Sequence, residues 1–310
     1  MDARHDLIGI KQTLRLEWLQ RTTSLLLAGL DPKAIRHELH DWLADRMGSG
    51  GGTSNDKEGE KGEVDNRRID GHQGDGGNLT VQTPSPQPSP ARGEGVHDPD
   101  QEGQSRGMGK RGATSRAQVV NMLMKIWVAG DSDLAAYREA SLAYLQANPA
   151  ATLAIHWGMV SAVYPFWFNT ARQVGRLLAL QDQVTQAQII GRLKEHYGDR
   201  QTVGRYGRYA IRSQVAWGVI RDSAAKGCYE KVTPVVVDDP ALGMLLVEAA
   251  LHATPEAKAT LSVVLNSPAF FPFQLPPLTG DLISRGSNRI EVLRHGLDEE
   301  LLKLTVQAKR

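Results

Sequence analysis

The sequence predicts a mainly helical, all-α protein that carries winged helix-turn-helix character, short β-hairpin wings and one long disordered insertion. Apolar residues recur at helical spacing through most of the chain. Between residues 166 and 236 the pattern runs helix, turn, helix and hairpin, which is the order of a winged helix-turn-helix. The segment 48–113 has too few large apolar side chains to form a core.

Composition excludes several classes of protein. The chain has 310 residues, a formal net charge of +1 and one cysteine. A disulfide scaffold and a multi-cysteine zinc site are therefore excluded, and a reducing cytoplasm is the expected compartment. The charged N-terminus is unlike a signal peptide, and the longest apolar stretch, 153–168, is too short to cross a bilayer. Because bulk charge is near zero, any nucleic-acid contact must come from local charge.

The segment 48–113 differs from its surroundings. Its 66 residues hold 16 of the 31 glycines and no Phe, Tyr or Trp, so we expect it to be disordered. Its centre, TPSPQPSPARGEG at 83–95, resembles the translated product of a dispersed bacterial repeat element, which would make it a passenger. A proline-rich ligand for a partner groove is the functional alternative.

Helices are predicted on both sides of this insertion. Residues 11–30 form one helix, and Asp31 caps a second that begins at Pro32. Further helices are predicted at 114–128 and 132–146. We expect the N-terminal helices (1–47) to pack with a helical core (114–165), because a long insertion adds little closure entropy.

The helix that begins at Pro149 and ends before Pro165 is apolar nearly all round, which predicts the centre of a core. His156 lies within it. A satisfied core histidine is the favoured interpretation over a catalytic one, since no second ligand or base has a useful spacing.

The predicted winged helix-turn-helix occupies 166–236. Its first helix covers 168–181 and is followed by a turn at 182–184. Thr185 and Gln188 form a capping box for a second helix, which Gly198 ends. A third helix covers 201–217, and two short β runs around Gly227 follow it.

The third helix has two different faces. Arg205, Arg208 and Arg212 fall within about 60° of one another at 3.6 residues per turn. The apolar residues, with Tyr206, fall opposite. Gly207 borders the apolar face, where it would permit close helix crossing, and Gly204 borders the arginine face, where it would permit close approach of a phosphate.

Local charge supports nucleic-acid contact. Residues 165–226 hold ten basic and four acidic side chains. We predict double-stranded DNA as the partner, with no membrane contact. A contact between this helix face and another protein is the alternative. The predicted DNA-contacting residues lie on the second and third helices and on the wing: Arg192, Lys194, Gln201, Thr202, Arg205, Arg208, Tyr209, Arg212, Arg221 and Lys226.

The C-terminal subdomain (237–310) is predicted to be helical or winged. A helix starts at Pro240, another covers 255–265, and a short one precedes a strand at 289–296. Asp298, Glu299 and Glu300 suit the first turn of a last helix. These C-terminal elements form either a second, degenerate winged unit or a cap on the core that the preceding chain forms.

No motif indicates catalysis or a cofactor. The chain has no P-loop, no G-x-S-x-G and no H-E-x-x-H, and we expect no metal site and no enzymatic activity. Cys228 lies in a predicted wing strand with no histidine near it in sequence, so a structural role is favoured.

The order of segments resembles a known family. The block TQAQIIGRLKEHYGDRQTVGRYGRYAIRSQVAWGVI and the tail LLVEAALHATPEAKATLSVVLNSPAFFPFQL, after an N-terminal helical bundle, resemble BrxA, the small helical component of BREX bacteriophage-defence systems. The resemblance covers about 1–47 and 114–305 and is one of pattern and order. It implies a non-enzymatic, DNA-binding accessory protein that acts with other defence proteins. A winged-helix transcriptional regulator and a protein–protein scaffold are the alternatives.

Overall fold

The computed structural model describes residues 5, 8–48, 100–295 and 299–305. The predicted disordered insertion lies mostly outside these residues. Over 100–113, however, the backbone is helical, which differs from the prediction. The amphipathic turns that follow nucleate this helix, and propagation then costs little per added residue.

Five helices form the N-terminal part of the fold: α1 (Leu16–Leu27), α2 (Pro32–Gly48), α3 (Asp100–Trp127), α4 (Ala135–Ala147) and α5 (Thr152–Val163). As predicted, Asp31 caps α2, since its carboxylate accepts from the backbone N–H of Lys33 at 2.8 Å. Helices α1 and α2 both pack against α3. The chain before the insertion and the chain after it therefore share one core.

Helix α5 lies at the centre of this core, as its sequence predicts. Trp157 is fully buried, and its ring meets the rings of Trp167 and Trp217 at 5.3 and 6.1 Å. His156 is also fully buried and meets Trp127 edge-on at 5.3 Å. Neither ring nitrogen of His156 hydrogen-bonds a described protein group, so the core placement is confirmed, but the expected satisfied histidine is not found.

The middle unit follows α5. It consists of α6 (Pro165–Leu180), β1 (Gln183–Thr185), α7 (Gln186–Tyr197), α8 (Gln201–Ala216), β2 (Ile220–Asp222) and β3 (Cys228–Lys231). Its three strands form one antiparallel sheet in the order β1-β3-β2. The capping box of Thr185 and Gln188 is present, and Gly198 ends α7 at φ 83°. The predicted turn at 182–184 is wrong in part, because Gln183 and Val184 pair with β3.

The C-terminal unit repeats this order of helices and strands. Its elements, with β4 before them, are β4 (Val235–Val236), α9 (Pro240–His252), β5 (Lys258–Thr260), α10 (Leu261–Leu265), β6 (Phe273–Gln274), α11 (Gly280–Gly286), β7 (Ile290–His295) and β8 (Glu299–Leu304). Strands β5, β8 and β7 form a second antiparallel sheet in that order. The middle unit shows the same order in its β1, β3 and β2.

Two sequence predictions in the C-terminal unit are wrong. The helix predicted over 255–265 is a strand at Lys258–Thr260 and becomes helical only at Leu261. The helix predicted to start at Asp298 is strand β8, in which Glu299 and Glu300 pair with β7. In both places long-range pairing across a sheet overrides local helix propensity.

The two units contact each other and the N-terminal core. Strands β4 and β6 pair in parallel, so that the chain leaving the middle unit joins a loop of the C-terminal unit. Helix α9 packs against α5. Within the described part of the chain, no helix has the length and apolar character that a membrane span requires.

A buried ion pair holds the C-terminal unit together. Glu248 on α9 is only 1% exposed, and Arg289 Nε donates to its two carboxylate oxygens at 2.8 and 3.0 Å. Burial raises the pKa of Glu248, although Arg289 works against that rise. The pair joins α9 to the start of β7.

Candidate nucleic-acid interface

Helix α8 has one buried and one exposed face, as its residue spacing predicts. Val203, Ala210 and Ile211 are fully buried. Gln201, Thr202, Arg205 and Arg208 are exposed, and Tyr209 and Arg212 are half-buried. Tyr206, predicted to lie in the core, is also only half-buried and stacks on Tyr209 with ring centroids 6.4 Å apart.

Of the two glycines of α8 that face α7, only Gly207 limits how closely the helices cross. A Cβ on Gly207 would lie 2.5 Å from Ile190 Cδ1 and 3.0 Å from Leu193 Cδ1, so the predicted close crossing is confirmed. Gly204 is buried, and a Cβ there would meet only Ile190, at 3.9 Å. The prediction that Gly204 opens the arginine face to a phosphate is therefore wrong, because α7 covers the border on which Gly204 lies.

Arg205 and Arg208 carry uncompensated charge. Both side chains are exposed, and neither forms a hydrogen bond or an ion pair with another described residue. They are three residues apart on α8, so their guanidinium groups project from neighbouring positions of one face. Two adjacent cations on one exposed face attract an anionic ligand.

Arg212 connects the same helix to the hairpin. Its Nη1 donates to Asp222 Oδ1, at the end of β2, at 2.6 Å. Burial alone would lower the pKa of Arg212, but the hydrogen bond and the charge of Asp222 outweigh it, and the pKa is raised. Arg212 therefore stays charged and fixes the angle between α8 and the hairpin.

The hairpin turn (223–227) lies next to the start of α7. The backbone N–H of Gln186 donates to the carbonyl of Gly227 at 2.8 Å, and Thr185 pairs with Cys228. Gly227 adopts φ 73°, a conformation that favours glycine. Lys226 is exposed in this turn. The hairpin is thus held on one side by α8 and on the other by α7.

Three further predicted cations are compensated by carboxylates. Arg192 pairs with Glu195 at 3.1 Å, and Lys194 with Asp199 at 2.8 Å. On the hairpin, Arg221 pairs with Glu230 at 2.9 Å. The structure therefore distinguishes Arg205 and Arg208 from these three, a distinction that residue types alone do not make.

Two hydrogen bonds between residues far apart in sequence hold the C-terminal end of α8 against the N-terminal segment. The backbone N–H of Leu14 donates to Ser213 Oγ at 2.8 Å, and the Leu14 carbonyl accepts from Trp217 Nε1 at 3.0 Å. Both backbone groups of one buried residue are thus satisfied by side chains at the end of α8. The N-terminal segment therefore holds the helix rigidly against the core.

The acidic, histidine and cysteine side chains of the described residues are dispersed. This part of the chain contains no cluster of three or more His, Cys, Asp or Glu side chains that could hold a metal ion. Cys228 is half-buried in β3 and lies within the sheet. The exposed surface of α8 offers charge and hydrogen bonds rather than a reactive group.

Comparison with protein-family models, with curated proteins and with solved structures gives no match to this chain.

Proposed function

We propose that this chain is a non-enzymatic, DNA-binding protein whose middle unit is a winged helix-turn-helix. The observation that carries the proposal is the pair of exposed, uncompensated arginines, Arg205 and Arg208, on the helix that directly precedes a hairpin. The order α6, β1, α7, α8, β2, β3 and the sheet order β1-β3-β2 support it.

In this proposal α8 enters the major groove. Recognition helices contact base edges mainly through their N-terminal residues, which here are Gln201, Thr202 and Arg205. Arg208 follows one turn later and meets a phosphate or a guanine edge. The hairpin turn (223–227) acts as the wing, and Lys226 supplies its charge toward the backbone.

The compensated cations take a different role. Arg212 and Arg221 are each held by a carboxylate, Asp222 and Glu230 respectively. They position the hairpin and contribute less to phosphate binding than a free arginine, because a bound phosphate must compete with the carboxylate. Tyr209, half-buried beside the arginine face, contacts the sugar-phosphate backbone.

The biological setting rests on the resemblance of segment order. We propose that the protein acts in the cytoplasm as an accessory component of a BREX-like bacteriophage-defence system, together with other proteins of that system. A transcriptional regulator uses the same helix but differs in reading a palindromic site as a dimer. A scaffold uses the same surface to contact a protein.

The test is a fluorescence-anisotropy titration of a 30-base-pair duplex. We expect wild-type affinity to fall steeply between 50 and 200 mM salt, because each phosphate contact releases counterions. We expect the double variant Arg205→Glu/Arg208→Glu to lose roughly 100-fold or more in affinity, since it replaces two attractions with two repulsions. Melting curves confirm that the variant folds.

Arg285→Glu is a single-site control, because Arg285 is an exposed arginine on the equivalent helix α11. It already pairs with Asp281 at 2.5 Å. We expect its affinity for DNA to stay within about twofold of wild type. Equal losses in the control and the double variant would contradict the assignment of α8. Failure of the wild type to bind duplex at 50 mM salt would favour the scaffold.

A further inference from the structure

We propose that Arg172, Arg176 and His196 form a second anion site, one that binds a phosphate group on the face shared by α6 and α7. Arg172 and Arg176 are four residues apart on α6, so they lie on one side of that helix. His196 lies in the last turn of α7, exposed, and close enough for the charge of Arg172 to influence it. None of the three belongs to the α8 surface.

The charge of this cluster is uncompensated. Arg172 is half-buried, and its Nη2 donates to the neutral amide oxygen of Asn169 at 2.5 Å. Its Nε is buried and has no hydrogen-bond partner among the described residues. Its charged neighbour is Arg176, and no described carboxylate pairs with either arginine.

Such an arrangement lowers stability unless a ligand supports it. Like charges four residues apart on a helix repel each other. A buried donor without a partner has lost its hydrogen bonds to water and gained none in return. One phosphate that accepts from both guanidinium groups relieves the repulsion between the two arginines and suits the bidentate geometry of arginine.

Neighbouring residues hold the side chains of Arg172 and His196 in place. Asn169, which accepts from Arg172, also donates through Nδ2 to Tyr197 Oη at 2.5 Å. The ring of His196 meets the ring of Tyr197 edge-on at 4.6 Å. Burial first, and then the nearby charge of Arg172, lower the pKa of His196, and an anion between them would oppose both effects.

The cluster and the hairpin lie at opposite ends of α7. His196 is near the C-terminal end of α7, just before the turn into α8, whereas Gln186 at its first residue bonds the hairpin turn. Twelve helical residues span about 18 Å, so the two features are separated by about the length of α7, and the cluster is the one nearer the start of α8. A backbone phosphate of bound DNA is thus one source for the anion, and a free phosphate is another.

The first experiment uses inorganic phosphate and does not depend on DNA binding. The NMR signals of the His196 ring, identified by their loss in His196→Gln, are followed as phosphate replaces chloride at constant ionic strength. We expect a saturable shift of these signals. We expect Arg176→Gln to weaken phosphate binding on the order of tenfold, because it removes a charge-assisted hydrogen bond, and Arg176→Lys to retain most of it.

Arg192→Gln is the control, because it removes one exposed positive charge from α7 at a residue already paired with Glu195. We expect phosphate affinity to change less than twofold. A His196 signal that does not move, or an equal loss in Arg192→Gln and Arg176→Gln, overturns the proposal. Arg176 is exposed and forms no hydrogen bond with a described residue, so these variants test binding rather than folding.

The second experiment distinguishes the two sources of the phosphate. If the site meets the DNA backbone, Arg176→Gln lowers the slope of log affinity for duplex against log salt by about one. If that slope is unchanged while phosphate binding is lost, the site serves a free phosphate or a small phosphorylated ligand. A protein that binds phosphate at His196 but no duplex at all would retain this site and refute the proposed function.

Discussion

The middle unit and the C-terminal unit have the same order of helices and strands but opposite charge. Residues 166–236 hold eleven basic and five acidic side chains, whereas residues 237–310 hold seven basic and nine acidic ones. Helix α8 exposes two arginines without a partner, while in α11 the exposed Arg285 pairs with Asp281. The same topology therefore presents a cationic surface in one unit and a compensated surface in the other.

This difference shows that topology alone does not assign a function to either unit. What separates them is whether each exposed cation has a carboxylate within reach, a property of side chains rather than of fold. The apolar surface differs as well. On the helices α10 and α11, Val263 and Leu282 are 64% and 37% exposed, whereas the exposed face of α8 is polar.

The largest expected effect concerns the cores of the two units. Arg289→Met leaves the Glu248 carboxylate buried without its partner, and we expect the free energy of unfolding to fall by about 3–5 kcal/mol. In the middle unit, Arg221→Met breaks only a surface pair, so we expect a much smaller loss of stability. Urea unfolding followed by circular dichroism measures both.

A second variant separates the ion pair from its packing. Replacing both partners, as Arg289→Met/Glu248→Leu, removes the buried charge, and most of the lost stability is expected to return. If Arg289→Met and Arg221→Met cost the same, the contrast between a buried pair in one unit and surface pairs in the other is incorrect.

The next effect tests whether the two units share one core. Burial lowers the pKa of His156 to about 3, well below its ordinary value of 6.5. Below pH 6.5 the unfolded chain therefore binds a proton that the folded chain does not, so stability is full above pH 6.5 and falls as the pH drops. The slope approaches 1.4 kcal/mol per pH unit.

Because α5 packs against α9 and leads into α6, both units should lose stability together. All six tryptophans precede residue 218, so their fluorescence reports the N-terminal core and the middle unit, and circular dichroism reports the whole chain. At pH 5 we expect fluorescence and circular dichroism to report a single unfolding transition. We expect His156→Phe to remove most of the pH dependence of the free energy of unfolding. Separate transitions would show that the units unfold independently.

The smallest effects concern the crossing of α7 and α8. In its described residues the C-terminal unit has no comparable crossing, because α10, which takes the place of α7 there, has only five residues. Gly204→Ala has room for its methyl group and is expected to raise the free energy of unfolding by up to about 1 kcal/mol. Gly207→Ala brings its methyl group against the terminal methyl groups of Ile190 and Leu193, which must shift, so we expect a smaller gain than at Gly204. Thermal melts of the two variants check this, and a matching gain at Gly207 would refute the close crossing.

Local signals predicted much of the fold. The capping box at Thr185, the stop at Gly198 and the two faces of the helix at 201–217 are all properties of neighbouring residues, and the structure agrees with each. The strands β1, β5 and β8 were not predicted, because three to six residues acquire strand structure only by pairing with a distant segment.

The candidate surface was predictable in its residues but not in its electrostatics. The spacing of Arg205, Arg208 and Arg212 predicts one face, yet only the structure shows that Arg212 pairs with Asp222 and that the other two have no partner. The bond between Leu14 and Ser213 joins residues 199 positions apart and has no sequence signal. Arg172 and Arg176 had a signal in their four-residue spacing, but their lack of a carboxylate is a tertiary property.

The most direct test of the contrast between the units is the salt dependence of duplex affinity in three proteins: wild type, Arg205→Gln and Arg285→Gln. Each variant removes one exposed arginine from an equivalent helix. The account predicts that the slope of log affinity against log salt falls by about one for Arg205→Gln and is unchanged for Arg285→Gln. Equal slopes in all three proteins, or a fall for Arg285→Gln alone, would contradict it.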